Sequence, residues 1–576
     1  MRFYAIIAVV AAMCITIAAP TFGQEDAVAP ERMGVGWVMT HLNKVVDIDP
    51  EAERITVSGA LTLKLDSLDA SYGPTLIINY NSPLLMWDRC EVQPAATVEL
   101  NETREEFESA RLAIVQFDEP ARRGDEITIT FEFHSVEHGS QFGIRSDYAM
   151  ASWVEAWTPV ALPRVDKGER FRASLIIAPG TTTLRMPENW VGLTDGVLKS
   201  RENVDGRNIE MWDMTGVNAA RSFVAGPFTI AEQEADGRRV LVYRLTESGM
   251  GADALAKRMA EVIRALEAKL GPFPAPSYGI VEAPEDLTDR WYAASQQTFI
   301  LAKASAFDYD HGNTPLWAHE SCHAWWGNLI GTNGKGSLMA GEALAQLGVL
   351  IALEATEGTE AVREFLEFSR SGYSSLQCAA GYFYIWREGG DTALAELDKA
   401  RWDHNLSDSK GMWFWHMLRD RIGDDVFFGT LREVIDELAG QTVSLDDLRE
   451  RFIVAAPSSD LEPFFAQWLD RTGAPVIDVD WWATRTHGER GVHLELTQWQ
   501  PGEPFNIDLD IAIDLQNGER LIETVALTES SQAFEISTGE QRAVGIELDP
   551  NRRVLIWRPA YGPRPSEPDE ATPHSP

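Results

Sequence analysis

A chain of 576 residues is too long for one comfortable hydrophobic core, so about two to four domains are expected. With 44% hydrophobic and 24% charged residues, the composition is that of a folded protein and excludes a disordered one. The 50 Lys and Arg stand against 88 Asp and Glu, and the net charge of −38 repels phosphate backbones and anionic membrane faces, which argues against nucleic acid as a partner.

Arg2 precedes the apolar run from Phe3 to Ala19, and Gly23 offers a small residue at a cleavage point. Residues 1–23 therefore read as a secretory signal peptide, which places the mature chain in the periplasm or outside the cell. The competing reading is an uncleaved anchor, but the run is at the short end for a membrane span. No later stretch reads as a transmembrane helix, so the mature chain is expected to be soluble and off the membrane. Cys14 lies in the signal. Cys90, Cys322 and Cys378 leave open one disulfide with a spare thiol or three free thiols.

Residues 32–230 read as strands, with period-two alternation at 61–65 and 127–133 that gives one face to a core and one to water. An N-terminal antiparallel β domain is predicted. Between 231 and 474 the rhythm turns helical. Leu255, Met259, Val262, Ile263, Leu266 and Leu270 form an amphipathic stripe behind Asp253, and Gly271 and Pro272 stop it. From 475 to 560 strands return, most clearly at 505–515, where six apolar residues alternate without a break and predict a long strand of a separate β-sandwich. Residues 561–576, rich in proline and polar side chains, read as a disordered tail. The fold class is multidomain α+β.

In the middle unit, Thr314 suits a helix N-cap and Pro315 the first turn, which sets His319, Glu320 and His323 inside a helix. Positions 319 and 323 fall within about 40° of each other around such a helix, so both imidazoles can reach one metal while Glu320 stays on the flank. An exposed helix with two solvated histidines would show the same letters. What separates the two is the text that follows: glycines at 331, 334 and 336 turn the chain, and Ser337 can cap a second helix carrying Glu342 near its start. Two histidines and one glutamate leave the fourth place of a zinc ion open, the ligand count of a catalytic site. Zinc polarises a carbonyl and acidifies water, and Glu320 is placed as the general base. One Zn²⁺ held by His319, His323 and Glu342 is expected. Cys322, inside the motif, is read as a small core residue.

His319-Glu320-x-x-His323, with Glu342 after a gap of 18 residues, resembles the aminopeptidase N and leukotriene hydrolase family of zinc metallopeptidases. His323-Ala324-Trp325-Trp326-Gly327-Asn328-Leu329 is similar to the family's H-Q-W-F-G-N-L, and Gly341-Glu342-Ala343-Leu344-Ala345 to its N-E-G-F-A. The resemblance implies an N-terminal β domain, a thermolysin-like catalytic domain and a β-sandwich, without the family's large helical C-terminal domain. It also implies hydrolysis of peptide bonds from the N-terminus of peptide or protein substrates.

Two positions depart from the family pattern. The G-A-M-E-N motif, whose glutamate holds the substrate's free amine, is matched by Ala293-Ala294-Ser295-Gln296-Gln297. Gln296 can accept a hydrogen bond but carries no charge to pair with an ammonium, so selection of free N-termini is expected to weaken. The family's oxyanion-stabilising tyrosine is matched by Asp408, two residues before Lys410-Gly411, and an ionised aspartate cannot donate a hydrogen bond. His404, Tyr382 or Tyr384 could take the part after a small shift of register. The alternative function is a zinc-stabilised peptide-binding homologue with weak or no catalysis.

Overall fold

The computed structural model describes residues 36–66, 73–78, 84–104, 107–139, 142–152, 157–161, 178–215, 222–246, 249–275, 277–285, 292–308, 313–369, 375–398, 400–486 and 489–565. The expected signal peptide and the end of the expected tail lie outside the described residues.

Alternation builds the first unit as read. In the sheet's register Leu61 faces Ile129 and Leu63 faces Ile127, and all four side chains are buried in one core with Phe131 and Phe133. The sheet is not wholly antiparallel, however. Trp37–Asp49 pairs antiparallel with Arg54–Leu65 on one side and parallel with Gly180–Pro187 on the other, within seven strands.

The middle unit begins with a sheet that helical periodicity conceals. Arg238–Arg244, Ser277–Ala283 and Phe299–Lys303 run parallel, flanked by Thr229–Ala235 and the short edge strand Ala293–Ser295. Parallel strands buried on both faces read as unbroken apolar runs rather than alternations. Helix Ala252–Leu270 makes the crossover between the first two, and its whole predicted stripe is buried. Helices then cover the rest of the unit to Trp468.

At the C-terminal end, two three-stranded sheets, with Ile507–Leu515 central in one and Glu489–Gln498 in the other, contribute buried side chains to one cluster. Phe505, Ile507, Leu509, Ile511, Ile513 and Leu515 are all buried. The core of this sandwich is not separate, because its buried side chains join those of the helical unit in one cluster, and Trp468 packs on Phe505 with ring centroids 5.0 Å apart.

Two further expectations change. Ser337–Thr356 is apolar and long enough to cross a membrane by length and composition, but it is a core segment, mostly buried and broken at Gly341. The first residues of the expected tail are packed rather than loose: Tyr561 is buried with its hydroxyl on Glu367 at 3.1 Å, Arg387 donates to the Pro563 carbonyl, and Arg564 pairs with Asp478.

Candidate metal centre

Three pieces of chain meet at the site: helix Thr314–Cys322, helix Glu342–Thr356 and the edge strand Ala293–Ser295. Asn313, in a left-handed conformation, rather than Thr314 holds the N-cap, so Thr314 and Pro315 open the helix. His323 is the C-cap, still right-handed at φ −60°, which keeps it one turn from His319. Gly327, at φ 103°, then lets the chain fold back on itself. The segment Ser337–Ala340 is a short helix behind Gly336, and Glu342 is the first residue of the helix after it.

These pieces bring His319, His323 and Glu342 together. The two Nε2 atoms are 3.2 Å apart, and Glu342 Oε2 lies 3.6 Å from His319 Nε2 and 3.4 Å from His323 Nε2. A tetrahedral ion with bonds of about 2.0–2.1 Å separates its ligand atoms by about 3.4 Å, so the three atoms have the spacing of one face of that tetrahedron.

The opposite ring nitrogens settle which way the lone pairs point. His319 Nδ1 donates to Gln346 Oε1 at 2.7 Å, and His323 Nδ1 donates to the Trp326 carbonyl at 2.9 Å. With their protons committed there, both Nε2 lone pairs face each other and Glu342, an arrangement that favours a cation among them. This set can hold a metal ion. Burial opposes the charge of His323 and of Glu342, but each overcomes it through the other: Glu342 pushes the His323 pKa up, while His323 and then His404 hold the Glu342 carboxylate well below the usual range.

Glu320 is buried on the flank of the same helix, beside the Ser295 backbone. Burial drives its pKa up, with the charge of Glu342 adding to the effect against the two histidines. A carboxylate raised toward neutrality is suited to take up and release a proton.

Gln296 is differently placed from its expected role. It is 0% exposed, its Oε1 accepts from the Ser222 hydroxyl at 2.8 Å, and its Nε2 has no partner among the described residues. The amide oxygen is thus taken from behind. Asn328, the last residue but one of the quoted motif, donates to the Gln296 carbonyl and to Ser295 Oγ, both at 3.1 Å, and so fastens the edge strand to the site helix.

Tyr382 is also committed elsewhere, since it is buried with its hydroxyl donating to Asp391 at 2.9 Å. Asp408 is buried, and His404 stands between it and Glu342. The tryptophans at 325, 326, 413 and 415 are core, and the three described cysteines are free and buried. Sequence reading missed Gln346 and Ser222. For Gln346 a signal existed, because it sits one turn after Glu342 on the same helix face.

Residues 292–468 match the peptidase family M1 domain. The chain is 25% identical over 265 residues to aminopeptidase M1-A of Oryza sativa subsp. japonica, covering 44% of this chain and 30% of that protein. It is 25% identical over 168 residues to aminopeptidase N of Lactococcus lactis subsp. lactis, covering 28% of this chain and 19% of that protein. In fold it is similar to the solved structure of Legionella pneumophila aminopeptidase A in complex with aspartic acid, with a TM-score of 0.65 at 14% identity over 91% of this chain and 59% of that one. The chain therefore spans less than a third of the curated relatives and less than two thirds of the solved one.

Proposed function

We propose that this chain, which belongs to peptidase family M1 with the aminopeptidases N, is an exported zinc metallopeptidase that hydrolyses peptide bonds with Glu320 as general base. The observation that carries the reading is the convergence of three lone-pair donors, His319, His323 and Glu342, 3.2 to 3.6 Å apart with both histidine tautomers fixed from outside. When bound there, zinc lowers the pKa of water and polarises the substrate carbonyl. Gln346 and the Trp326 carbonyl orient the ligand rings. Glu320, buried beside the Ser295 backbone, takes the proton of the attacking water and returns it to the leaving nitrogen.

The substrates are peptides or proteins, cleaved in an aminopeptidase-like manner with weakened selection of the free α-amine. That finer point is supported by Gln296, which is neutral and already bonded to Ser222. Neither nucleic acid nor membrane is a partner on this reading, given the charge of −38.

The test is cleavage of a broad peptide mixture by zinc-loaded protein, with each peptide offered free and N-acetylated. E320Q is expected to lower kcat by about 10²–10⁴ while keeping its zinc. Cleavage unchanged in E320Q, or none by the wild type, sinks the reading. A second reading, a zinc-stabilised peptide-binding homologue, is favoured by Asp408 standing where the family has a tyrosine. Turnover abolished by a chelator and restored by zinc rules it out.

A further inference from the structure

Beside Glu342 stand an imidazole and a carboxylate that the proposed chemistry does not use. His404 stands in the short helix Asp403–Leu406, and Asp408 in the turn of π-helix Ser407–Gly411 that leads into helix Met412–Ile422. Such turns are concentrated at functional sites because they displace side chains from the regular helical rows.

His404 Nδ1 lies 3.9 Å from Glu342 Oε2, and its Nε2 lies 3.5 Å from Asp408 Oδ2. The imidazole is 56% exposed while the carboxylate beneath it is 1% exposed. Asp408 Oδ2 accepts from Gln377 Nε2 at 2.9 Å, and Oδ1 has no hydrogen-bond partner among the described residues. A buried carboxylate bonded on one oxygen is costly unless another polar group faces it, and the His404 ring faces it.

The ring sits next to the metal ligands and not among them. His319, His323 and Glu342 make one compact set, His404 with Glu342 and Asp408 another, and only Glu342 is common to both. Nε2 is turned to Asp408, which leaves Nδ1 as the nitrogen on the Glu342 side of the ring. Of the two tyrosines that could fill the family's role, Tyr382 is bonded to Asp391 and Tyr384 packs edge-on against Trp402.

We propose that His404, oriented by Asp408, donates the hydrogen bond to the scissile carbonyl oxygen as charge develops on it, the part that a tyrosine plays in the family. This rests on the peptidase reading. His404 touches the substrate and is a catalytic residue, while Asp408 acts through it and is a positioning residue.

The experiment compares wild type, H404A, H404Q and D408N for kcat and KM on one peptide, zinc per chain, melting temperature, and affinity for a phosphinic peptide and for a product peptide. The phosphinic group is tetrahedral and anionic like the hydrated carbonyl. H404A is expected to lose about 100-fold in kcat and a similar factor in phosphinic-peptide affinity, with KM within about threefold. Its zinc content, melting temperature and product affinity stay at the wild-type values. H404Q keeps an N–H donor and loses only about tenfold, and D408N loses kcat while KM and melting temperature hold.

The assignment is overturned if H404A keeps kcat and phosphinic-peptide affinity while the wild type cleaves. It is equally overturned if the wild type binds a second zinc that H404A and D408N lose, since the pair would then be a metal site. A wild type that cleaves no peptide removes the peptidase reading itself, and this assignment with it.

Discussion

The lone pairs of His319 and His323 are aimed by what their other nitrogens touch. Gln346 does this for His319 from a position one turn beyond Glu342, so on the proposed reading a single helix supplies both a ligand and the group that orients another ligand. Q346A leaves His319 Nδ1 without its acceptor and is expected to weaken zinc binding by about 10–100-fold, read by competition with a chromophoric chelator. Unchanged affinity would mean that the ring is held by packing alone. The donors themselves were legible in the sequence, because two histidines four apart and a glutamate opening a later helix are local features. The use of Gln296 was not, since its Oε1 is committed to Ser222, 74 residues away in the chain.

At the scale of elements, what carries Glu342 to the histidines is the closeness of two helices. Gly348 faces Cys322, and a Cβ at 348 would lie 2.6 Å from the Cys322 Cβ and 2.7 Å from its Sγ. G348A is expected to push the helices apart at a cost of about 1–3 kcal/mol and to weaken zinc binding with it. Adding C322G removes the clash and recovers zinc affinity in the same titration, despite the helix propensity lost. If G348A binds zinc like the wild type, this contact does not set the position of Glu342. Cys322, which looks like a redox or ligand candidate inside the motif, is thereby explained as the residue against which the second helix packs.

Across the whole molecule, charged clamps tie layers that are distant in sequence. Arg553 joins Asp420 of helix Met412–Ile422 to Asp510 of strand Ile507–Leu515, at 2.8 and 3.0 Å. Asp424 receives Arg419 at 2.7 Å and Lys269 at 2.6 Å, linking helix Ala252–Leu270 to the later helices. The hydrogen bond from Arg419, followed by that from Lys269, holds the Asp424 pKa at about 2 against an ordinary 3.8. A carboxyl lowered in the fold contributes stability above its unfolded pKa and loses it as pH falls toward the folded one. D424N is therefore expected to be less stable than wild type by about 1 kcal/mol at neutral pH, the size of a partly exposed pair. In chemical denaturation the difference should close between about pH 4 and pH 2, and a constant gap would refute the assignment.

Sequence alone determined which donor side chains to look for at the site, because residue identity and helical spacing are local: His319, Glu320 and His323 on one helix and, after a gap of 18 residues, Glu342. It also determined the alternating strands and the amphipathic helix, whose periods are local. Only the tertiary structure decided that three parallel strands underlie the helices, that the C-terminal sandwich shares their core, and that His404 rather than Tyr382 stands beside Glu342. Each of these depends on which distant segments pack together, and burial on both faces or a hydrogen bond across the fold leaves no periodic mark in the chain.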